Sequence, residues 1–213
     1  MKKTLSYLII ILVISSCSRK INPTTAYSEL KVNEVKKDNL ILTELELNNP
    51  IKAELKIEDN VMSNDSVLSY YHEYKYTPNK TKNYSVEIFS LCNCFGFKKY
   101  IFNPNIKILD KNNNEIKNKI ETISYDYQKG PISFNKKWTF ESVKNEPLTI
   151  IIYSENNKLG EPIHKFEAYT TSFAAGMIIP IVAPITIKSS LVGKYYIELT
   201  ESTVPNNDLK SRS

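Results

Sequence analysis

Histidine and cysteine are scarce in this sequence, and their scarcity narrows the possible chemistry. Among 213 residues there are two histidines and three cysteines. His72 and His164 are too few for a histidine-built metal centre, and there is no His-Glu-x-x-His stretch to seat a catalytic zinc. Gly-x-Ser-x-Gly is also missing, so no nucleophile, base and orienter set stands out. Paired carboxylates for glycoside chemistry need proximity in space and leave no mark in sequence. With that one opening, the chain reads as non-enzymatic, with no cofactor. Basic residues are scattered among Asp, Glu and Asn without a run that could grip phosphates, so nucleic acid is not an expected partner. No apolar stretch near the N-terminus reaches the roughly 20 residues that a ~30 Å hydrocarbon core requires.

The N-terminus follows a different logic. Lys2 and Lys3 precede an apolar run from Leu5 to Ile14, and the small pair Ser15-Ser16 leads to Cys17. This is the layout of a secretory signal, and it is set aside from fold reasoning. Ile14-Ser15-Ser16-Cys17 resembles the lipobox of bacterial lipoproteins. That resemblance implies diacylglycerol on the Cys17 thiol, cleavage before Cys17 and acylation of the new amine. Two or three acyl chains, at ~0.8 kcal/mol per buried methylene, exceed what stable anchoring needs. The expected division is a signal over 1–16, a lipidated cysteine with a polar, irregular tether over 17–28, a folded domain over 29–205 and a polar tail over 206–213. Losing Lys2 and Lys3 and no acid lowers the net charge from +5 to +3, close to neutral. No acidic cluster follows Cys17, which favours a lipid-anchored place on the outer membrane facing the periplasm.

The full chain is 41% apolar and holds 14 tyrosines, all but Tyr7 beyond the signal, enough for a real core. Only Cys92 and Cys94 are left beside Cys17, so disulfides do not build the fold. Leu40, Leu42, Leu45 and Leu47 alternate before the break at Asn48-Asn49-Pro50. Tyr70, His72, Tyr74 and Tyr76 alternate with Tyr71, Glu73 and Lys75; Tyr84, Val86 and Ile88 alternate with Ser85 and Glu87. Trp138 and Phe140 flank Thr139, Leu148 to Tyr153 is rich in β-branched residues, and Tyr195, Ile197 and Leu199 alternate near the end. Period-two runs of β-branched and aromatic residues between turn signals predict an all-β fold, an antiparallel, jelly-roll-like β-sandwich.

Four stretches carry a likeness to a known family. They are the strand ending at Ser90, the run Ile101-Phe102-Asn103-Pro104-Asn105-Ile106-Lys107-Ile108-Leu109-Asp110, Ile150 to Tyr153 followed by Leu159-Gly160, and Ser190-Leu191-Val192-Gly193-Lys194. In order and spacing they resemble the maltose operon periplasmic protein family. The resemblance implies a β-sandwich associated with sugar uptake and brings no catalytic residues with it. The lipobox and Cys92-Asn93-Cys94 depart from that pattern.

Several features could carry function. Cys92 and Cys94 would lie on one face of an extended strand, as two thiols, as a strained disulfide, or as part of a soft-metal site such as one for Cu(I). Asp110, Asn112, Asn114, Asn118 and Glu121 match positions 1, 3, 5, 9 and 12 of a calcium loop. Glu115 stands where glycine is needed, and Lys111, Lys117 and Lys119 crowd the site, so a hairpin turn explains them better. Tyr70, Tyr71, Tyr74, Tyr76, Tyr125 and Tyr127 could form a sugar platform, although strand packing accounts for them as well. Phe173 to Ile187 is uncharged and broken by Pro180 and Pro184, which predicts a buried crossing loop or else an exposed patch centred on Met177, Ile178, Ile179 and Ile181. Two functional readings follow. The first is a lipid-anchored accessory that binds a carbohydrate or a transport component, marked by a rim of exposed tyrosines. The second is an assembly lipoprotein docking on a membrane complex through 173–187.

Overall fold

The computed structural model describes residues 30, 42–64, 67–92, 99–126, 133–156, 159–174 and 177–202. Side chains at 64, 67, 126, 166, 168–181 and 183 are not described. The expected leader over 1–16, Cys17 with the expected tether over 17–28, and the expected tail over 206–213 lie outside the described residues.

The chain is all-β, with several antiparallel sheets. Its strands are β1 (Thr43–Glu44), β2 (Ile51–Leu55), β3 (Val61–Asn64), β4 (Val67–Tyr76), β5 (Lys82–Leu91), β6 (Lys99–Phe102), β7 (Pro104–Leu109), β8 (Asn118–Asp126), β9 (Ser133–Ser142), β10 (Leu148–Ser154), β11 (Pro162–Ala174), β12 (Met177–Ser190) and β13 (Gly193–Glu201). The first sheet runs β1-β4-β10-β7, with β3 also pairing β4; the second runs β2-β13-β5-β9-β8; the third is β11-β12-β6. Two pairings, β1 with β4 and β6 with β12, are parallel.

The alternation in the sequence becomes the core. Tyr70, Tyr74 and Tyr76 face inward from the first sheet with Ile106, Ile108, Leu148, Ile150 and Ile152. They meet Tyr84, Val86, Ile88, Trp138, Phe140, Tyr195, Ile197 and Leu199 of the second sheet in one cluster. Register sets the layers: Trp138 pairs with Val86, and Val86 with Leu199, across three neighbouring strands. Burying each of these large side chains contributes about 1.5–3 kcal/mol. Leu30 is also in this cluster, with no exposure, so the chain is fixed to the body there.

At one end of the core, β13 starts at Gly193, whose φ is +157°. A Cβ on Gly193 would lie 3.1 Å from Phe102 Cβ, so the absence of a side chain lets β13 pass close to β6. Beside it, Ile101, Phe134, Ile187 and Cys92 form a smaller cluster that seats the third sheet.

The third sheet overturns one expectation. The stretch 173–187 is not a crossing loop: Met177–Ser190 is a single strand containing both prolines. It pairs with β11 along Met177–Lys188 and with β6 along Ile187–Ser190. Pro180 and Pro184 are four apart, so their backbone nitrogens fall on the same edge, and with no N–H to give β11 they fit the edge away from it. Proline excludes a central strand here, but an edge strand accommodates it.

Candidate functional site

A chain of polar groups crosses from the rim into the core. The turn at Lys56–Asp59 fixes Asp59, whose Oδ2 accepts the Lys56 N–H at 2.6 Å. Asp59 Oδ2 also lies 3.0 Å from His72 Nε2, His72 Nδ1 lies 2.7 Å from the Tyr195 hydroxyl, and Tyr195 and Tyr74 hydroxyls are 2.8 Å apart. With Asp59 ionised and the imidazole neutral, Nε2 carries the ring proton and Nδ1 accepts from Tyr195, leaving the Tyr195 oxygen to accept from Tyr74. The carboxylate, imidazole and hydroxyl therefore follow one another as in a hydrolase. The hydroxyl is not available for that chemistry, however. Tyr195 has no exposure, and its acceptor and donor are both committed within the chain. Burial, with the neighbouring Tyr74 and the Asp59 charge, pushes its phenol well above its ordinary range, away from a nucleophilic phenolate. Burial likewise raises Tyr74. The network ties β4 of the first sheet to β13 of the second.

A second tie lies nearer the third sheet. Lys136 faces the core from β9 and is 5% exposed. Its Nζ donates to the Pro104 carbonyl at 3.0 Å and to Glu155 Oε2 at 3.0 Å, and Asn103 Nδ2 reaches the same oxygen at 3.4 Å. A buried pair of this kind contributes little net stability, but removing one partner strands the other. It too joins strands of the two sheets.

The sequence candidates fall out as follows. Tyr70, Tyr71, Tyr74 and Tyr76 are all buried, the most exposed at 5%. They pack and cannot form a sugar-binding rim; Tyr71 lies with Ile151 and Tyr153 on the outer face of its sheet. Tyr125 is half-buried and stacked on Phe134 at 4.9 Å and on His164 at 4.0 Å, while Tyr127 lies outside the described residues. Asp110 is the head of a turn: its Oδ1 accepts the N–H of Asn112 and Asn114, and its Oδ2 accepts the Asn114 amide. These bonds, the Asn114 side chain foremost, hold its carboxyl below the ordinary value. Asn113 takes φ +64° to close the turn. Glu115 and Glu121 pair with Lys107 and Lys137, and Asn118 and Glu121 continue into β8, so the calcium-loop pattern does not converge. Among the described residues no cluster of three metal-ligating side chains occurs.

Cys92 follows β5, is 9% exposed and is disulfide-bonded, so it is neither a free thiol nor a thiolate ligand. Cys17 and Cys94, the other cysteines of the chain, lie outside the described residues.

The remaining candidate is the β11–β12 ribbon. Beyond the pair His164–Ile187, ten registered pairs run from Lys165–Thr186 to Ala174–Met177, a length of about 34 Å at ~3.4 Å per residue. Along these ten pairs, no third strand pairs with the ribbon among the described residues. Alternate pairs belong to opposite faces. One set is Lys165–Thr186, Glu167–Pro184, Tyr169–Val182, Thr171–Pro180 and Phe173–Ile178; here Lys165, Glu167 and Pro184 are exposed and Val182 is 50% exposed. The other is Phe166–Ile185, Ala168–Ala183, Thr170–Ile181, Ser172–Ile179 and Ala174–Met177, with no charged residue. The four patch candidates therefore divide: Met177, Ile179 and Ile181 occupy positions of the uncharged set, and Ile178 of the other. A run of apolar letters could not show this division, because it appears only once the strand register is known.

No protein-family model matches the chain, and no curated protein matches it significantly. The likeness to the maltose operon periplasmic protein family thus stands on its four sequence stretches alone.

Proposed function

We propose that this is a lipid-anchored protein of the cell envelope that works by docking and not by catalysis, with the β11–β12 ribbon as its docking element. The two five-stranded sheets are read as the layers of a β-sandwich, because their inward side chains share one core. One observation carries the reading. A ribbon of ten residue pairs, uncharged from Ala168 to Ile187, has a third strand beside it only at its base among the described residues. Extending a two-stranded ribbon without a further strand partner is costly for the isolated domain, and the cost is offset when a second surface covers it. The burial of Tyr70, Tyr71, Tyr74 and Tyr76 removes the tyrosine rim that would have supported carbohydrate binding.

The test is photo-crosslinking in cells from exposed Val182, with equally exposed Val143 as control. Val143 follows the far end of β9 from Phe134, which packs beneath the ribbon's base. Envelope components should crosslink at Val182 well above the level at Val143. Equal yields at both sites would sink the docking reading.

A further inference from the structure

We propose that the uncharged face of the β11–β12 ribbon lies on the lipid surface, forming a second, protein-borne contact with the membrane that holds the anchor. The inference deepens the docking reading and rests on the proposed lipid at Cys17.

Tether length comes first. Leu30 is buried in the core and lies 13 residue steps after Cys17. At no more than ~3.6 Å per residue, the anchored domain stays within about 47 Å of the bilayer. A 34 Å ribbon is comparable to that reach, and the tether keeps the lipid surface at a high effective concentration for it.

Composition then selects the face. The set from Phe166–Ile185 to Ala174–Met177 contains Phe, Ile, Met and Ala with one Ser and one Thr. The opposite set keeps Lys165 and Glu167 exposed. The charged residues of the two strands are Lys165, Glu167 and Lys188. Both lysines are exposed near the base, at the level where headgroup phosphates would meet a ribbon lying face down.

Backbone chemistry fixes the depth. Among the described residues the outer edge of β12 has no strand partner from Met177 to Thr186, and hydrocarbon cannot satisfy the carbonyls of such an edge, so the ribbon does not span. Pro180 and Pro184 remove two donors from that edge, which disfavours addition of another strand. An apolar face with a wet edge belongs at the boundary between headgroups and acyl chains.

The experiment uses residues 18–213, which contain every core residue and carry neither leader nor lipid, and flotation with vesicles of phosphatidylethanolamine and phosphatidylglycerol. The parent chain should float. Ile179→Asp with Ile181→Asp should lower the bound fraction about tenfold or more, while Val143→Asp leaves it unchanged. Should the aspartate pair lose its strand spectrum, Lys165→Glu with Lys188→Glu decides instead. That variant should bind phosphatidylglycerol vesicles about tenfold more weakly and neutral vesicles as before. A folded parent chain that stays with the unbound fraction overturns the inference, as does a folded aspartate pair that floats like the parent. A solution dimer that the aspartate pair dissolves, without flotation, would assign the face to a second copy. Because the assay contains no lipidated protein, it is read separately from acyl labelling of Cys17 and from crosslinking at Val182.

Discussion

Tyr195 offers the sharpest test of the polar chain in the core. Tyr195→Phe keeps the ring against Phe102, at 5.5 Å between centroids, and removes one oxygen that donates to His72 and accepts from Tyr74. His72 is 26% exposed and can replace its lost donor with water. Tyr74 is 3% exposed and cannot, so its O–H is left buried and unpaired at a cost of about 1–3 kcal/mol. Tyr74→Phe is a different case, because Tyr195 still donates to His72 and only a lone pair goes unfilled; the expected loss is about 0.5–1 kcal/mol. In the double variant no hydroxyl is stranded, so its loss should fall short of the sum of the two by about 1 kcal/mol or more. Urea unfolding of all four proteins, with unchanged m-values, gives the coupling. Additive losses within about 0.5 kcal/mol, or a larger loss from Tyr74→Phe than from Tyr195→Phe, would refute the direction of donation inferred here.

Three further outcomes are expected. A Cys17 thiol that carries diacylglycerol cannot also form a disulfide, so peptide mapping should find Cys92 joined to Cys94, and Cys17→Ser should abolish palmitate incorporation; a Cys17–Cys92 bridge would defeat the lipid reading. Gly193→Ala should destabilise by about 1–3 kcal/mol, since it combines φ +157° with a 3.1 Å approach to Phe102, and thermal unfolding that is unchanged would contradict this. Asp110 has a lowered folded pKa, so its contribution is present above the ordinary carboxylate value of 3.8 and is lost as pH falls through the lower folded value; amide shifts of Asn112 and Asn114 should titrate below 3.8, and a midpoint at or above it would count against the turn.

Much of the fold was legible because alternation maps directly onto a half-buried strand. Tyr70, Tyr74, Tyr84, Val86, Trp138, Phe140, Ile197 and Leu199 were all assigned to strands from period two and all reach the core. Segments whose two faces are similarly polar or similarly apolar were not legible this way. β8, with exposed Ile120 and Ile123 and a register shift between Ile120 and Thr122, has no clean alternation to read. In β12 the prolines masked a strand, since proline punishes only the hydrogen-bonded side and the sequence does not say which side is open. Asp59, His72 and Tyr195 escaped for another reason: 123 residues separate His72 from Tyr195, and only register brings them together. Tyr70 to Tyr76 carried the right strand and the wrong temptation, because a tyrosine suits a buried position as well as an exposed one.

The position of β13 governs when this fold can form. The last of the described strands lies inside its sheet, between β2 and β5, and supplies Tyr195, Ile197 and Leu199 to the core. Until about residue 200 is available, β2 has no neighbour in that sheet and His72 has no Tyr195. A chain not yet extended to that point is therefore short of an interior strand of the sheet, and its closing contacts carry the loop-closure cost of very distant residues. Under the proposed export, completion would be deferred until Gly193–Glu201 had crossed, leaving the preceding strands unlocked during passage.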